Sequence, residues 1–273
     1  MMYFYKRILN KKIMRISLFI LSIFILFSCE SKKVETKQKP IMNDAIHQNL
    51  TSFKTITFPS KDKLLITADL YEVQNPKGFI LLCHQAGYSR GEYIETAKKL
   101  NKLGFSCMAT DQRSGKEVKY IINETAKRAV EKNLGVTYLD AKQDIESAID
   151  YVYKLNKNNK INLVGSSYSA SLALLLATNN DKIKTVAAFS PGEYLKGVVL
   201  SKSITPLDIP VFATSAKKET TQVEDVLKDV ISKQINHFKP TAESIHGSRA
   251  LWEGNSGNKA CWEAFSQFIL SNN

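Results

Sequence analysis

The feature that most constrains this chain is residues 160–178, KINLVGSSYSASLALLLAT, where a short apolar run breaks at a turn of small residues and resumes as a dense Ala/Leu segment. Residues 161–164 suit a buried strand, and the run from Tyr168 onward has helix-forming composition. Only Gly165-Ser166-Ser167-Tyr168-Ser169 separates the two. A strand that enters a helix through so short a turn holds its central side chain up at the end of the sheet, on strained backbone beside the helix N-terminus. Ser167 is that side chain. The residues two before and two after it must be small. Gly165 meets this need, and Ser169 stands where a second glycine is usual. Five residues alone would equally describe an ordinary serine-rich turn, so the rest of the chain must decide.

The apolar and turn spacing predicts strands at 54–58 and 64–73, joined by a hairpin at Pro59-Ser60-Lys61-Asp62. Buried strands are expected at 78–84, 105–110, 184–189 and 211–214, with a short one at 236–239. Helices are expected over 92–103 with Gly104 as the stop, and over 138–155, 223–235 and 260–270, while 116–136 reads as a loop with one short helix. Alternation after a two-strand start implies an α/β fold, a mostly parallel sheet with helices on both faces and ligands at the C-terminal ends of the strands.

The N-terminus has a different character. Lys6, Arg7, Lys11, Lys12 and Arg15 precede the apolar run ISLFILSIFILF at 16–27, which stops at Ser28-Cys29. That is the order of a secretory signal, and the run is short for a transmembrane helix. Leu26-Phe27-Ser28-Cys29 resembles the lipobox of bacterial lipoproteins, which implies that Cys29 is lipidated and becomes the mature N-terminus. The expected organisation is a signal peptide at 1–28, a flexible polar tether at 29–52 and one domain at 53–273, anchored to a membrane of the bacterial cell envelope on an extracytoplasmic side. An uncleaved anchor, or an ordinary signal peptide with an incidental cysteine, is the alternative. The net charge of +12 comes without Arg-rich or aromatic-basic clusters, so it describes a solvated Lys-rich surface and no nucleic-acid partner is expected. Cys83, Cys107 and Cys261 remain, an odd number that argues against a disulfide framework. No Cys or His pair has metal-ligand spacing, so neither a metal nor a cofactor is expected.

Five motifs follow one another in order: His84-Gln85-Ala86-Gly87, Asp111-Gln112-Arg113-Ser114-Gly115, the Ser167 turn, an acid after the strand at 211–214, and His246-Gly247. In this the chain resembles an α/β-hydrolase, most closely the dienelactone-hydrolase-related or acyl-esterase branch, over about residues 53–271. A hydroxyl is a poor nucleophile at neutral pH, so Ser167 needs a base to take its proton and return it to the leaving group. The resemblance gives that role to His246, with His237 as the less favoured choice, and a structural role to His84. It places the carboxylate that orients the imidazole at Glu219, with Glu224 and Asp225 as fallbacks. It assigns the oxyanion-hole N–H groups to Ala86 and Tyr168, with the N–H or side chain of Gln85 as an alternative, and it gives Asp111 and Arg113 the task of bracing a loop. The stretch 190–210, where many such proteins insert a lid, is short.

The implied function is a membrane-tethered carboxylic ester hydrolase that forms an acyl-enzyme on Ser167 and acts on a small-molecule ester. The same three side chains serve peptidases and thioesterases, and a non-catalytic binding lipoprotein of the same fold is the further alternative.

Overall fold

A computed structural model describes residues 53–273. The expected signal peptide at 1–28, Cys29 and the expected tether at 29–52 lie outside the described residues.

The domain opens with β1 (Lys54–Pro59), β2 (Leu65–Tyr71) and β3 (Phe79–Cys83), followed by helix α1 (Ile94–Lys102) and β4 (Ser106–Thr110). A small hairpin, β5 (Glu117–Val118) and β6 (Ile121–Ile122), leads into α2 (Glu124–Glu131) and α3 (Lys142–Leu155). Then come β7 (Ile161–Ser166), α4 (Tyr168–Ala177), β8 (Ile183–Phe189), the single turn α5 (Leu200–Ser203), β9 (Val211–Thr214), α6 (Thr220–Leu227), β10 (Ile235–His237) and α7 (Asn258–Ser271).

Eight strands form one sheet in the order β1-β2-β4-β3-β7-β8-β9-β10. The first two pairings, β1 with β2 and β2 with β4, are antiparallel; the rest are parallel. The strands read as apolar runs because both faces are covered. In β3, Phe79, Leu81 and Cys83 enter the core shared with α3 and α4, while Ile80 and Leu82 enter the core shared with α1 and α7. The same alternation splits Met108 from Cys107 and Ala109 in β4, and Leu163 from Val164 in β7. The expected fold class is therefore the observed one: a mostly parallel sheet with helices on both faces. Cys83, Cys107 and Cys261 are free and buried.

Most element boundaries shift by one or two residues, and three stretches differ from the sequence reading by more. The helix expected over 138–155 begins at Lys142, because Thr137 and Asp140 close a turn ahead of it: Asp140 Oδ2 accepts both the Thr137 N–H at 2.8 Å and its hydroxyl at 2.7 Å. Tyr138 is thereby turned out of the helix, and its ring stacks on that of Tyr168 at 4.5 Å. The helix expected over 223–235 runs instead from Thr220 to Leu227, since the N–H groups of Ile231 and Ser232 are taken by the carbonyls of Thr205 and Leu207. Within 116–136 the structure adds a hairpin of two-residue strands to the one expected helix.

Candidate active site

Ser167 sits between β7 and α4 at φ 59°, ψ −122°, a conformation that costs a non-glycine residue about 1–3 kcal/mol. The surroundings hold it there. Its N–H donates to Phe189 O at 2.8 Å, and its carbonyl accepts the N–H groups of Ala170 and Ser171. Gly165 is required by space: a Cβ there would lie 2.3 Å from Ser169 O and 2.6 Å from Ala170 Cα. Ser169 does not crowd the turn. Its Oγ accepts the Ser166 N–H at 2.9 Å and donates to Cys83 O at 2.7 Å, tying the turn to the end of β3.

Glu219 and His246 meet across the loops that follow β9 and β10. His246 Nδ1 lies 2.9 Å from Oε1 and 3.0 Å from Oε2 of Glu219. Glu219 Oε2 also accepts the Ser190 hydroxyl at 2.8 Å. Partial burial works against the charge on Glu219, but the bonds from His246 and Ser190 outweigh it and hold the carboxyl below its ordinary range. A carboxylate kept ionised at Nδ1 favours the proton on that nitrogen and leaves Nε2 free to accept one. The hydrogen bonds of the His246 side chain run to Glu219 and not to Ser167 Oγ. The backbone nevertheless brings the two together. The Ser248 N–H donates to Ser166 Oγ at 2.9 Å, and the Gly247 N–H donates to Ser190 Oγ at 3.0 Å, so the loop carrying His246 is fastened to the neighbours of Ser167 and Phe189. Glu224 pairs with Lys239 at the surface and has no contact with His246. His237 lies in β10 and is likewise apart from Glu219.

His84 ends β3 and is fully buried. Its Nε2 accepts the Gln112 N–H at 2.9 Å, which leaves Nδ1 to donate to Gln85 O at 2.8 Å. Burial lowers its pKa to about 4, so the ring is neutral and structural. Of the candidate oxyanion donors, the Gln85 N–H is taken, donating to Glu92 Oε2 at 2.7 Å. The N–H groups of Ala86 and Tyr168 have no backbone partner among the described residues. Asp111 and Arg113 brace: Asp111 Oδ2 accepts from Arg90 Nη1 at 2.8 Å and from the Glu124 N–H at 2.9 Å, while Arg113 forks between Asp62 and Asp144.

Four further residues shape the site. Ser166, Ser190, Glu92 and Ser248 join its loops through bonds between positions 57 to 156 residues apart, so no local spacing announces them. Glu92 is the most unusual. It is fully buried, and besides the Gln85 N–H it accepts the Ser248 hydroxyl at 2.6 Å. Burial raises its pKa against the pull of these donors. The stretch 84–104 reads as a strand end and a helix, and nothing in it sets Glu92 apart from the half-exposed Glu95 three residues on. Among the described residues no group of three or more His, Cys, Asp or Glu side chains is arranged to hold a metal ion.

The profile of the family described as serine aminopeptidase, S33, matches residues 74–239, more than half of the chain. The chain belongs to the serine aminopeptidase, S33, family. It is thus a member of the α/β-hydrolase superfamily, and a hydrolase. The family match takes in Ser167 and Glu219 and ends before His246. Solved structures similar to this S33 family member include an esterase from Pyrococcus furiosus, at 14% identity with a TM-score of 0.64, covering 82% of this chain and 93% of that one. A dienelactone hydrolase from Anabaena variabilis is similar at 13% identity with a TM-score of 0.63, covering 82% and 99%. An acylaminoacyl peptidase from Pyrococcus horikoshii is similar at 16% identity with a TM-score of 0.58, covering 84% of this chain but 43% of that one. At such identities the likeness is one of fold. No curated protein sequence matches the chain significantly.

Proposed function

We propose that this S33 family member is a carboxylic ester hydrolase with Ser167 as nucleophile, His246 as general base and acid, and Glu219 as the carboxylate that orients the imidazole. The observation that carries the reading is the contact of Glu219 with His246 Nδ1 beside a serine on strained backbone. Ser167 Oγ attacks the ester carbonyl carbon as its proton passes to His246 Nε2. The carbonyl oxygen gathers charge, and the N–H groups of Ala86 and Tyr168 receive it. The tetrahedral adduct collapses, the bond to the leaving oxygen breaks, and His246 returns the proton to the departing alcohol. Water then repeats the sequence on the acyl-Ser167, releasing the acid and restoring the hydroxyl.

A peptidase reading is favoured by the family description, and the same proton path serves an amide. Fluorophosphonate labelling of the full-length chain, mapped by mass spectrometry, tests the nucleophile: modification is expected at Ser167 and not in Ser167→Ala. Parallel ester, thioester and peptide panels then separate the substrate classes. Folded protein that resists labelling would return the chain to the non-catalytic reading.

The N-terminal motif supports a lipid on Cys29 that anchors the enzyme to a membrane of the cell envelope. Mass measurement of the mature N-terminus should find diacylated Cys29, and Cys29→Ser should release the protein from the membrane fraction.

A further inference from the structure

Residues 114–138, between β4 and α3, form a wall beside the candidate site. A cleft of about 700 Å³ runs along this wall and reaches Ala86 and Gly87 in the candidate oxyanion loop. The wall is firmly built. Asn123 caps α2 through the Ala126 N–H at 2.7 Å, and its Nδ2 reaches Tyr88 O at 3.1 Å and Gln112 O at 2.9 Å, on the turn that follows His84. At the hairpin tip Lys119 pairs with Glu95 and lies over the ring of Trp252 at 4.0 Å. Thr125 Oγ1 accepts the Thr67 N–H at 2.9 Å, which ties α2 to the sheet.

The wall is also apolar where it faces the cleft. Ten large apolar side chains are exposed among the described residues, and five of them, Tyr120, Ile122, Val130, Val136 and Tyr138, fall within this one segment. All but Tyr120 line the cleft. The charges at its rim balance, with Lys116 and Lys127 against Glu117 and Glu131, and the Arg113 guanidinium is committed to Asp62 and Asp144. Such a surface suits an uncharged apolar chain.

Sheet order decides which part of a substrate lies there. Ser167 follows β7; β3 and β4 lie on one side of that strand, β8 and β9 on the other. Glu219 and the imidazole it holds belong to the β9 side, and no cleft residue comes from the loops that carry them. A leaving oxygen must face His246 to receive its proton. The acyl substituent is then directed to the β3–β4 side, where the cleft begins. We infer that residues 114–138 form an acyl-chain site, and that the preferred substrates are esters of longer aliphatic acids over esters of acetic acid. The inference rests on Ser167 being the nucleophile.

The test compares two phosphonofluoridates with the same alkoxy group, one carrying methyl and one octyl on phosphorus, in reaction with the full-length chain. Ser167 should react at least tenfold faster with the octyl reagent, and Val130→Asp should bring the two rates within about twofold of each other without slowing the methyl reagent. Ile122→Asp, at the other end of the wall, should act likewise. Equal rates in the unmodified protein, or a preference untouched by both variants, would overturn the acyl-site assignment while keeping Ser167 as nucleophile. No reaction with either reagent would remove the hydrolase reading and this inference with it. Sedimentation closes the remaining route: a dimer dispersed by Val130→Asp, with no octyl preference, would give the cleft to a second copy of the chain and overturn the inference.

Discussion

The Ser190 hydroxyl donates to Oε2 of Glu219 at 2.8 Å. Ser190 Oγ in turn accepts the Gly247 N–H at 3.0 Å, so one serine spaces the candidate acid from the loop that carries His246. Ser190→Ala removes a strut and no reacting group. We expect kcat to fall about tenfold with KM little changed, since the imidazole is then held less well at the moment of proton transfer. Steady-state kinetics with an ester substrate checks this, and a circular dichroism melt within a few degrees of the unmodified protein shows that the fold has survived.

Removing the groups proposed to react should be far more severe. Ser167→Ala and His246→Ala are each expected to abolish measurable turnover in folded protein. Glu219→Gln should cost roughly a thousandfold or more in kcat, because an amide at Nδ1 no longer stabilises the imidazolium and can impose the wrong tautomer. An active, folded Ser167→Ala protein would end the assignment.

Ser169→Gly restores the residue more usual at that place and should still destabilise the protein. It deletes the acceptor of the Ser166 N–H and the donor to Cys83 O, both buried. A loss of about 1–3 kcal/mol is expected from urea unfolding. An increase in stability would mean that the serine strains the turn.

Glu92→Leu leaves the Gln85 N–H and the Ser248 hydroxyl without their shared acceptor inside the protein. Two stranded polar groups should cost about 2–6 kcal/mol, whereas Glu92→Gln, which keeps an acceptor for the Gln85 N–H, should cost much less. Denaturation midpoints of the two variants give the comparison.

His84 supplies a pH dependence with a definite sign. Its pKa falls from 6.5 to about 4 on folding because the charged ring would be buried. Below pH 6.5 the unfolded chain takes up a proton that the folded chain refuses, so stability is lost as pH drops toward 4, by about 3 kcal/mol in all. Asp111 opposes this. Burial raises its pKa from 3.8 to about 6 against the pull of Arg90, so its contribution falls as pH rises through that window. The two overlap, and the protein as a whole should show a shallow slope. His84→Asn keeps a donor and an acceptor but no titrating proton. The penalty of this variant, measured by urea unfolding at pH 7 and again at pH 4, should shrink by about 3 kcal/mol.

Much of this architecture can be read from local pattern. Fully apolar strands such as residues 79–83 announce burial on both faces, and Gly165 announces the close approach of a helix, which the 2.3 Å clearance to Ser169 O explains. Ser167, Glu219 and His246 were legible as candidates because each sits at a strand end or late loop where the order of elements places it, and the structure gathers the latter two within hydrogen-bonding distance. Residues that act across distance were not legible. Glu92 meets Ser248 over 156 positions and Ser166 meets the same loop over 82, and neither pairing leaves a mark on its own neighbourhood. The hairpin at 117–122 escaped because two-residue strands have no period to detect. The end of α6 escaped because it is set by carbonyls on Thr205 and Leu207 and not by a local stop residue.

The three free cysteines of the domain are sealed within its two cores. Burial raises all three thiol pKa values, that of Cys261 up to about 12, and suppresses the thiolate on which disulfide exchange and alkylation depend. The folded domain should therefore respond only slowly to thiol oxidants and disulfides, and maleimide should modify these positions far faster after denaturation than before it.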